Sequence, residues 1–155
     1  MTSRRQFCLT STAFLLAGCA TARATPQYPV SHTNAEWHRL LTPAQYDVLR
    51  EADTERPWSS PLLNEHRAGR FACVGCDTAM FDASTKFDSG TGWPSFYRAL
   101  PHALQEQADN TPGMERTAVQ CATCGGHLGH VFDDGPAPTG LRYCMNGVAL
   151  SFHPA

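Results

Sequence analysis

Apolar positions are spaced in two different ways along the chain, and the change comes near Pro61. Before it they recur at helical intervals. Trp37, Leu40 and Leu41 predict a short helix over 36–41. A second helix opens at Thr42-Pro43-Ala44-Gln45. Thr42 can cap it, Pro43 suits its first position and Gln45 completes a capping box. Tyr46 and Leu49 then share a face at i, i+3, and the helix should stop near Ala52-Asp53, ahead of Arg56-Pro57.

After Pro61 the helical period disappears. GRFACVGC, AMFDASTKFD, RTAVQC, HLGHVF and LRYCMNGVALSF are short runs rich in β-branched and aromatic residues, separated by Gly, Pro, Asp and Asn. This texture predicts an antiparallel all-β body with a helical N-terminal arm. No internal repeat is visible except a doubled CxxC.

The first 24 residues, MTSRRQFCLTSTAFLLAGCATARA, have the order of an export signal: two arginines, an apolar stretch, then small residues. The apolar part, Phe7 to Ala17, is too short to span a bilayer as a helix. Ser3-Arg4-Arg5-Gln6-Phe7 resembles a twin-arginine signal, with Cys8 and Leu9 departing from its usual residues. Leu16-Ala17-Gly18-Cys19 resembles a lipobox, which would lipidate Cys19. Cleavage after Ala24 is the competing outcome and would free a soluble protein. The expectation is a periplasmic lipoprotein, in contact with the membrane only through this anchor, or else a soluble periplasmic one. Residues 25–35, rich in proline and small polar residues, read as a tether to a domain over 36–155.

Composition narrows the function. The 155 residues suffice for one domain, and a hydrophobic share of 42% against 17% charged indicates a folded chain. The net charge is −2, and ten Lys+Arg face fourteen Asp+Glu once residues 1–18 are set aside. Lys86 is the one lysine and the body has no basic run, which argues against nucleic-acid binding.

Seven cysteines remain to be placed. Cys73 and Cys76 form one CxxC pair, and Cys121 and Cys124 the other. Each pair can hold an ion from a tight turn eased by nearby glycines, and four thiolates complete a closed tetrahedral zinc site. Two disulfides are the competing reading for an exported chain. With zinc filled by sulfur, His127 and His130 are free for other work. Cys8 and Cys19 belong to the leader, so Cys144 stands alone in LRYCMNG. If Arg142–Asn146 is a strand, Arg142 and Asn146 lie on the face of Cys144. A cation and an amide there would favour the reactive thiolate. The plainer alternative is a buried small hydrophobe.

CATCGGHLGHVFDDGPAPTGLRYCMNGVALSF and FDSGTGWPSFYRAL together resemble the peptide-methionine (R)-S-oxide reductases. The resemblance spans roughly residues 36–153, with TERPWSSPL, both CxxC pairs, GWPSF, HLGHVFDDGP, PTG and RYC-x-N in the family's order and spacing. It implies two packed antiparallel sheets with structural zinc opposite the active site. It implies Cys144 as the nucleophile that takes the oxygen of methionine sulfoxide and becomes a sulfenic acid. His127 and His130 would bind and protonate that oxygen, Asn146 would hydrogen-bond the substrate or its water, and Arg142 would favour the thiolate. Trp93 would offer an aromatic wall to the substrate's methyl group. Asp133 or Asp134 would orient a histidine. The partners implied are oxidised proteins and a thioredoxin-like or other thiol reductant, with the enzyme acting as a monomer.

The chain departs from the family at one informative place. Many members carry a second cysteine in the loop before GWPSF, and here Thr91 stands there. No resolving thiol remains, so an external thiol is expected to reduce the Cys144 sulfenic acid directly. Asn146-Gly147-Val148-Ala149-Leu150 also differs from the family's usual N-S-x-S-L. A zinc-bearing β-domain that binds partners without chemistry is the rival hypothesis.

Overall fold

Among the described residues the N-terminal arm consists of two helices, α1 (Asn34–Leu40) and α2 (Pro43–Glu51). A computed structural model describes residues 28–111 and 113–155. The expected export signal, with Cys8 and Cys19, lies outside the described residues. α1 begins two residues earlier than the apolar spacing predicts, because Thr33 and Glu36 form a capping box. The Thr33 hydroxyl accepts from the Glu36 amide, and the Glu36 carboxylate accepts from Thr33. Trp37 and Leu41 are buried, whereas Leu40, one position off their face, is exposed. α2 opens as predicted, with Thr42 and Gln45 in a second capping box and Pro43 inside it. It ends at Ala52, whose φ of 58° turns the chain out of the helix.

Part of the expected tether lies on the body instead. The Val30 amide donates to the Thr123 carbonyl at 2.9 Å, and the Tyr28 hydroxyl donates to Gln120 at 3.1 Å. The Tyr28 ring covers Gly125, where a Cβ would fall 2.2 Å from the ring. Gly125 therefore serves two needs: its φ of +70° is open to glycine, and its bare Cα leaves space for the tyrosine.

Among the described residues nine strands follow: β1 (Gly69–Cys73), β2 (Ala79–Asp82), β3 (Lys86–Phe87), β4 (Ser95–Phe96), β5 (Leu104–Asp109), β6 (Arg116–Cys121), β7 (His127–Phe132), β8 (Arg142–Met145) and β9 (Leu150–Pro154). They form two antiparallel sheets, in the order β2-β1-β9 and β3-β4-β8-β7-β6-β5. The sheets meet through aromatic rings. Phe81 of the small sheet stacks on Phe96 of the large one at 4.2 Å, and Phe71 meets Phe96 edge-on at 4.9 Å. All three are fully buried. Offset and edge-on aromatic pairs of this kind each add about 0.5–1.5 kcal/mol beyond the area they bury. The expected all-β body of two packed sheets with a helical arm is therefore the observed architecture.

The central strand pair of the large sheet sets the site. β7 faces β8 in the register His130 to Cys144 and Phe132 to Arg142, while Ser95 of β4 faces Cys144 from the other side. β6 carries Arg116 at one end and Cys121 at the other. Five residue steps of strand, roughly 17 Å, therefore separate the side chain facing the site from the first cysteine of the second knuckle.

Candidate active site

His127 and His130 are three residues apart, so a regular strand would point them to opposite faces. A bulge prevents this. Gln120 pairs with His127 and Val119 with Gly129, so β7 spends one residue more than β6 across the step. Gly129 sits in this irregularity with a φ of +155°, and a Cβ on it would fall 2.1 Å from the Cys144 carbonyl oxygen. The two imidazoles consequently meet edge-on at 5.3 Å. The β run HLGHVF read from the sequence is β7, the strand that pairs with that of Cys144.

Cys144, His130, Asn146 and Trp93 line one cavity of about 120 Å³, together with Arg116, Phe132, Thr54 and Gly129. Four of the residues singled out from sequence are thus brought to one cavity. His127 does not line it. It is buried, with Nε2 unpartnered among the described residues, and burial followed by the neighbouring His130 pushes its pKa down to about 4. It is uncharged at neutral pH.

Arg142 makes a two-pronged ion pair with Asp134, at 2.7 and 2.8 Å, and its guanidinium lies 4.3 Å from the centre of the Phe132 ring. Hydrogen bonding to Asp134 raises its pKa further, and Arg142 does not line the cavity that holds Cys144. Asp134 therefore orients Arg142, and the expectation that Asp133 or Asp134 would orient a histidine gives way. The carboxylate on His130 is Asp109, whose Oδ2 lies 2.9 Å from His130 Nε2 and 2.7 Å from the Arg116 guanidinium. Its other oxygen accepts from the Thr111 amide and hydroxyl. These contacts, Thr111 first and His130 next, hold the Asp109 carboxyl well below the usual range.

Asn146 is buried and spends both ends of its amide on the frame. Its Nδ2 donates to the Leu128 carbonyl at 3.2 Å, and its Oδ1 accepts from the Glu55 amide at 3.0 Å. Glu55 returns the contact: its carbonyl accepts from the Trp93 indole at 3.1 Å and its carboxylate accepts from the amides of Gly147 and Val148. Burial nonetheless leaves the Glu55 carboxyl above its ordinary value. Glu55 thus ties together Trp93 and Asn146, which line the same cavity.

Asp109, Arg116 and Glu55 were not legible in the chain. Asp109 and Arg116 face each other across the β5–β6 hairpin. The signal for it, a strand ahead of the sequence Thr111-Pro112-Gly113, is hidden by the polar run LQEQAD. Glu55 sits in a loop, where no periodicity marks its partners.

The four paired cysteines converge. Cys73 and Cys124 sulfurs lie 3.7 Å apart, Cys76 and Cys121 sulfurs 3.5 Å, and all four fall within 4.8 Å of one another. A disulfide would need about 2.05 Å. Four sulfurs at about 2.3 Å from a central zinc would be about 3.8 Å apart, so this cluster fits a tetrahedral ion. Both knuckles turn alike: the residue after the second cysteine has positive φ, 57° at Asp77 and 70° at Gly125. Leu49 of α2 closes over both, 2.9 Å from where a Cβ on Gly75 or Gly126 would lie.

The SelR domain family model matches residues 41–154. Three relatives, each described as peptide methionine sulfoxide reductase MsrB, align over most of their length. That of Leifsonia xyli subsp. xyli is 53% identical over 83% of this chain and 94% of its own. That of Agrobacterium fabrum is 52% identical over 81% and 93%. That of Thiobacillus denitrificans is 53% identical over 79% and 93%.

Proposed function

The chain belongs to the SelR-domain family and is a peptide methionine sulfoxide reductase, and we propose that it reduces the R epimer of methionine sulfoxide through a sulfenic acid on Cys144. The observation that carries the reading is the shared cavity. Cys144 lines it with His130, Asn146 and Trp93, and Arg142 is two residues before Cys144 on the same strand.

The Cys144 thiolate attacks the sulfoxide, whose sulfur–oxygen bond breaks as a bond forms between the cysteine sulfur and that oxygen. A proton reaches the oxygen from an imidazolium. Thiolate, sulfoxide and imidazolium thereby become Cys144–S–OH, methionine and neutral imidazole. The Trp93 face and Phe132 suit the substrate's methyl and thioether. Two molecules of an external thiol, or one dithiol, then return the sulfenic acid to the thiol, releasing water and a disulfide. Thr91, in the place where many relatives have a cysteine, supports this one-cysteine cycle. Cys73, Cys76, Cys121 and Cys124 would hold a structural zinc that ties the two knuckles and α2 together. Residues 1–24 would direct export, with lipidation at Cys19 or cleavage after Ala24; metabolic labelling with a fatty acid, compared with Cys19→Ala, distinguishes the two.

Incubation with each epimer of a methionine sulfoxide peptide and dithiothreitol, beside Cys144→Ser, tests the reading. Turnover of the R epimer alone, absent in the variant, is expected. Turnover of the S epimer, or activity retained by the variant, would overturn it.

A further inference from the structure

We propose that Asp109 is the positioning residue that makes His130, and not His127, the proton donor: it takes the Nε2–H of the ring and leaves Nδ1 to face the substrate. This rests on the reading of the cavity as the site of sulfoxide reduction.

The two histidines are neighbours in opposite environments. His127 is buried, and among the described residues no carboxylate bonds to it and its Nε2 is unpartnered. His130 lines the cavity and sits 2.9 Å from Asp109. Asp109 is itself fixed at both oxygens, by the Thr111 amide at 3.1 Å and the Arg116 guanidinium at 2.7 Å. A carboxylate held this firmly cannot swing away from the ring.

The consequence is a defined tautomer. An ionised carboxylate only accepts, so Nε2 must carry a hydrogen in the neutral ring as well as the charged one. No other side chain among the described residues takes Nδ1. When the ring is charged, Nδ1–H is the free acid; when it is neutral, Nδ1 is an acceptor. The charged and titratable groups around the ring come from four strands: Asp109 on β5, Arg116 on β6, His127 on β7 and Cys144 on β8. Asp109 and the Cys144 thiolate favour the imidazolium, and Arg116 opposes it. Asp109 offsets Arg116 by binding it through the same oxygen that holds the ring.

Single-turnover formation of methionine, followed against pH in the full chain and in Asp109→Asn, tests this. The basic limb of the wild-type profile should mark loss of the imidazolium. In the variant it should move to lower pH, because the negative charge in contact with the ring is gone. A merely structural role would lower the rate at every pH without moving the limb. Long-range proton–nitrogen spectra of the wild-type imidazole provide a second readout that needs no variant to fold. Above its titration the ring should carry its hydrogen on Nε2. A hydrogen on Nδ1, or an unmoved limb in Asp109→Asn, overturns the proposal. His130→Gln separates the two levels: wild-type rate in that variant would sink His130 as the acid altogether, whereas an inactive His130→Gln beside an unmoved Asp109→Asn would sink only the role of Asp109.

Discussion

The Thr91 hydroxyl lies 3.6 Å from the Cys144 sulfur. It is held there by a chain of hydroxyls, with Ser89 2.8 Å from Thr91 and 2.7 Å from Ser95, which pairs with Cys144 across the strands. The loop before Trp93 thus delivers a side chain to the thiol, and in this protein that side chain has no sulfur.

Thr91→Cys should convert the mechanism. A sulfur at this position would stand near enough to Cys144 to condense with its sulfenic acid. Thiol titration after one round of substrate, without reductant, should find one thiol lost in the wild type and two in the variant.

Removal of zinc should unfold the arm along with the knuckles, because Leu49 packs over both turns and the cysteines lie in the core. Metal analysis should find one zinc per chain. A chelator able to extract it should lower the melting temperature, and Cys121→Ser should lose several kcal/mol of stability, within the ~10–16 kcal/mol that structural zinc supplies. Unchanged melting after complete metal removal would contradict the assignment.

His127 should make the fold sensitive to mild acid. Its folded pKa of about 4 lies below the ordinary 6.5, so the unfolded chain binds this proton first. The stability due to the neutral ring is complete above pH 6.5 and drains as pH falls towards 4, by about 2–3 kcal/mol at pH 4.5. Urea unfolding at pH 7 and pH 4.5 should show this loss in the wild type and a smaller one in His127→Asn.

Glu55→Ala should loosen the cavity wall. It strips the amides of Gly147 and Val148 of their acceptor, a cost of about 1–3 kcal/mol. The carboxylate anchors the backbone whose amide and carbonyl brace Asn146 and Trp93, so once that anchor is lost KM for the sulfoxide should rise while thiol alkylation of Cys144 changes little.

What the chain discloses about itself follows the range of its interactions. Helix caps at Thr42 and Gln45, the knuckles at Cys73–Cys76 and Cys121–Cys124, and the pairing of Arg142 with Cys144 on one strand are local. Each depends on residues a few positions apart, so spacing is enough to read them. Asp109 with His130 and Glu55 with Asn146 are separated by 21 and 91 residues. Only strand order and a loop's return bring them together, and the β7 bulge that turns both histidines one way has no signature beyond a glycine. The exchange of roles at Asp134 has the same origin: eight residues before Arg142, it returns across the β7–β8 turn to the guanidinium and not to an imidazole.

Intact mass and peptide mapping of the protein after one equivalent of R-sulfoxide peptide, with no thiol present, test the central claim most directly. The account predicts one added oxygen, trapped on Cys144 by a sulfenic-acid reagent, and no new disulfide. An intramolecular disulfide from Cys144, or an oxidised enzyme with Cys144 untouched, would contradict it.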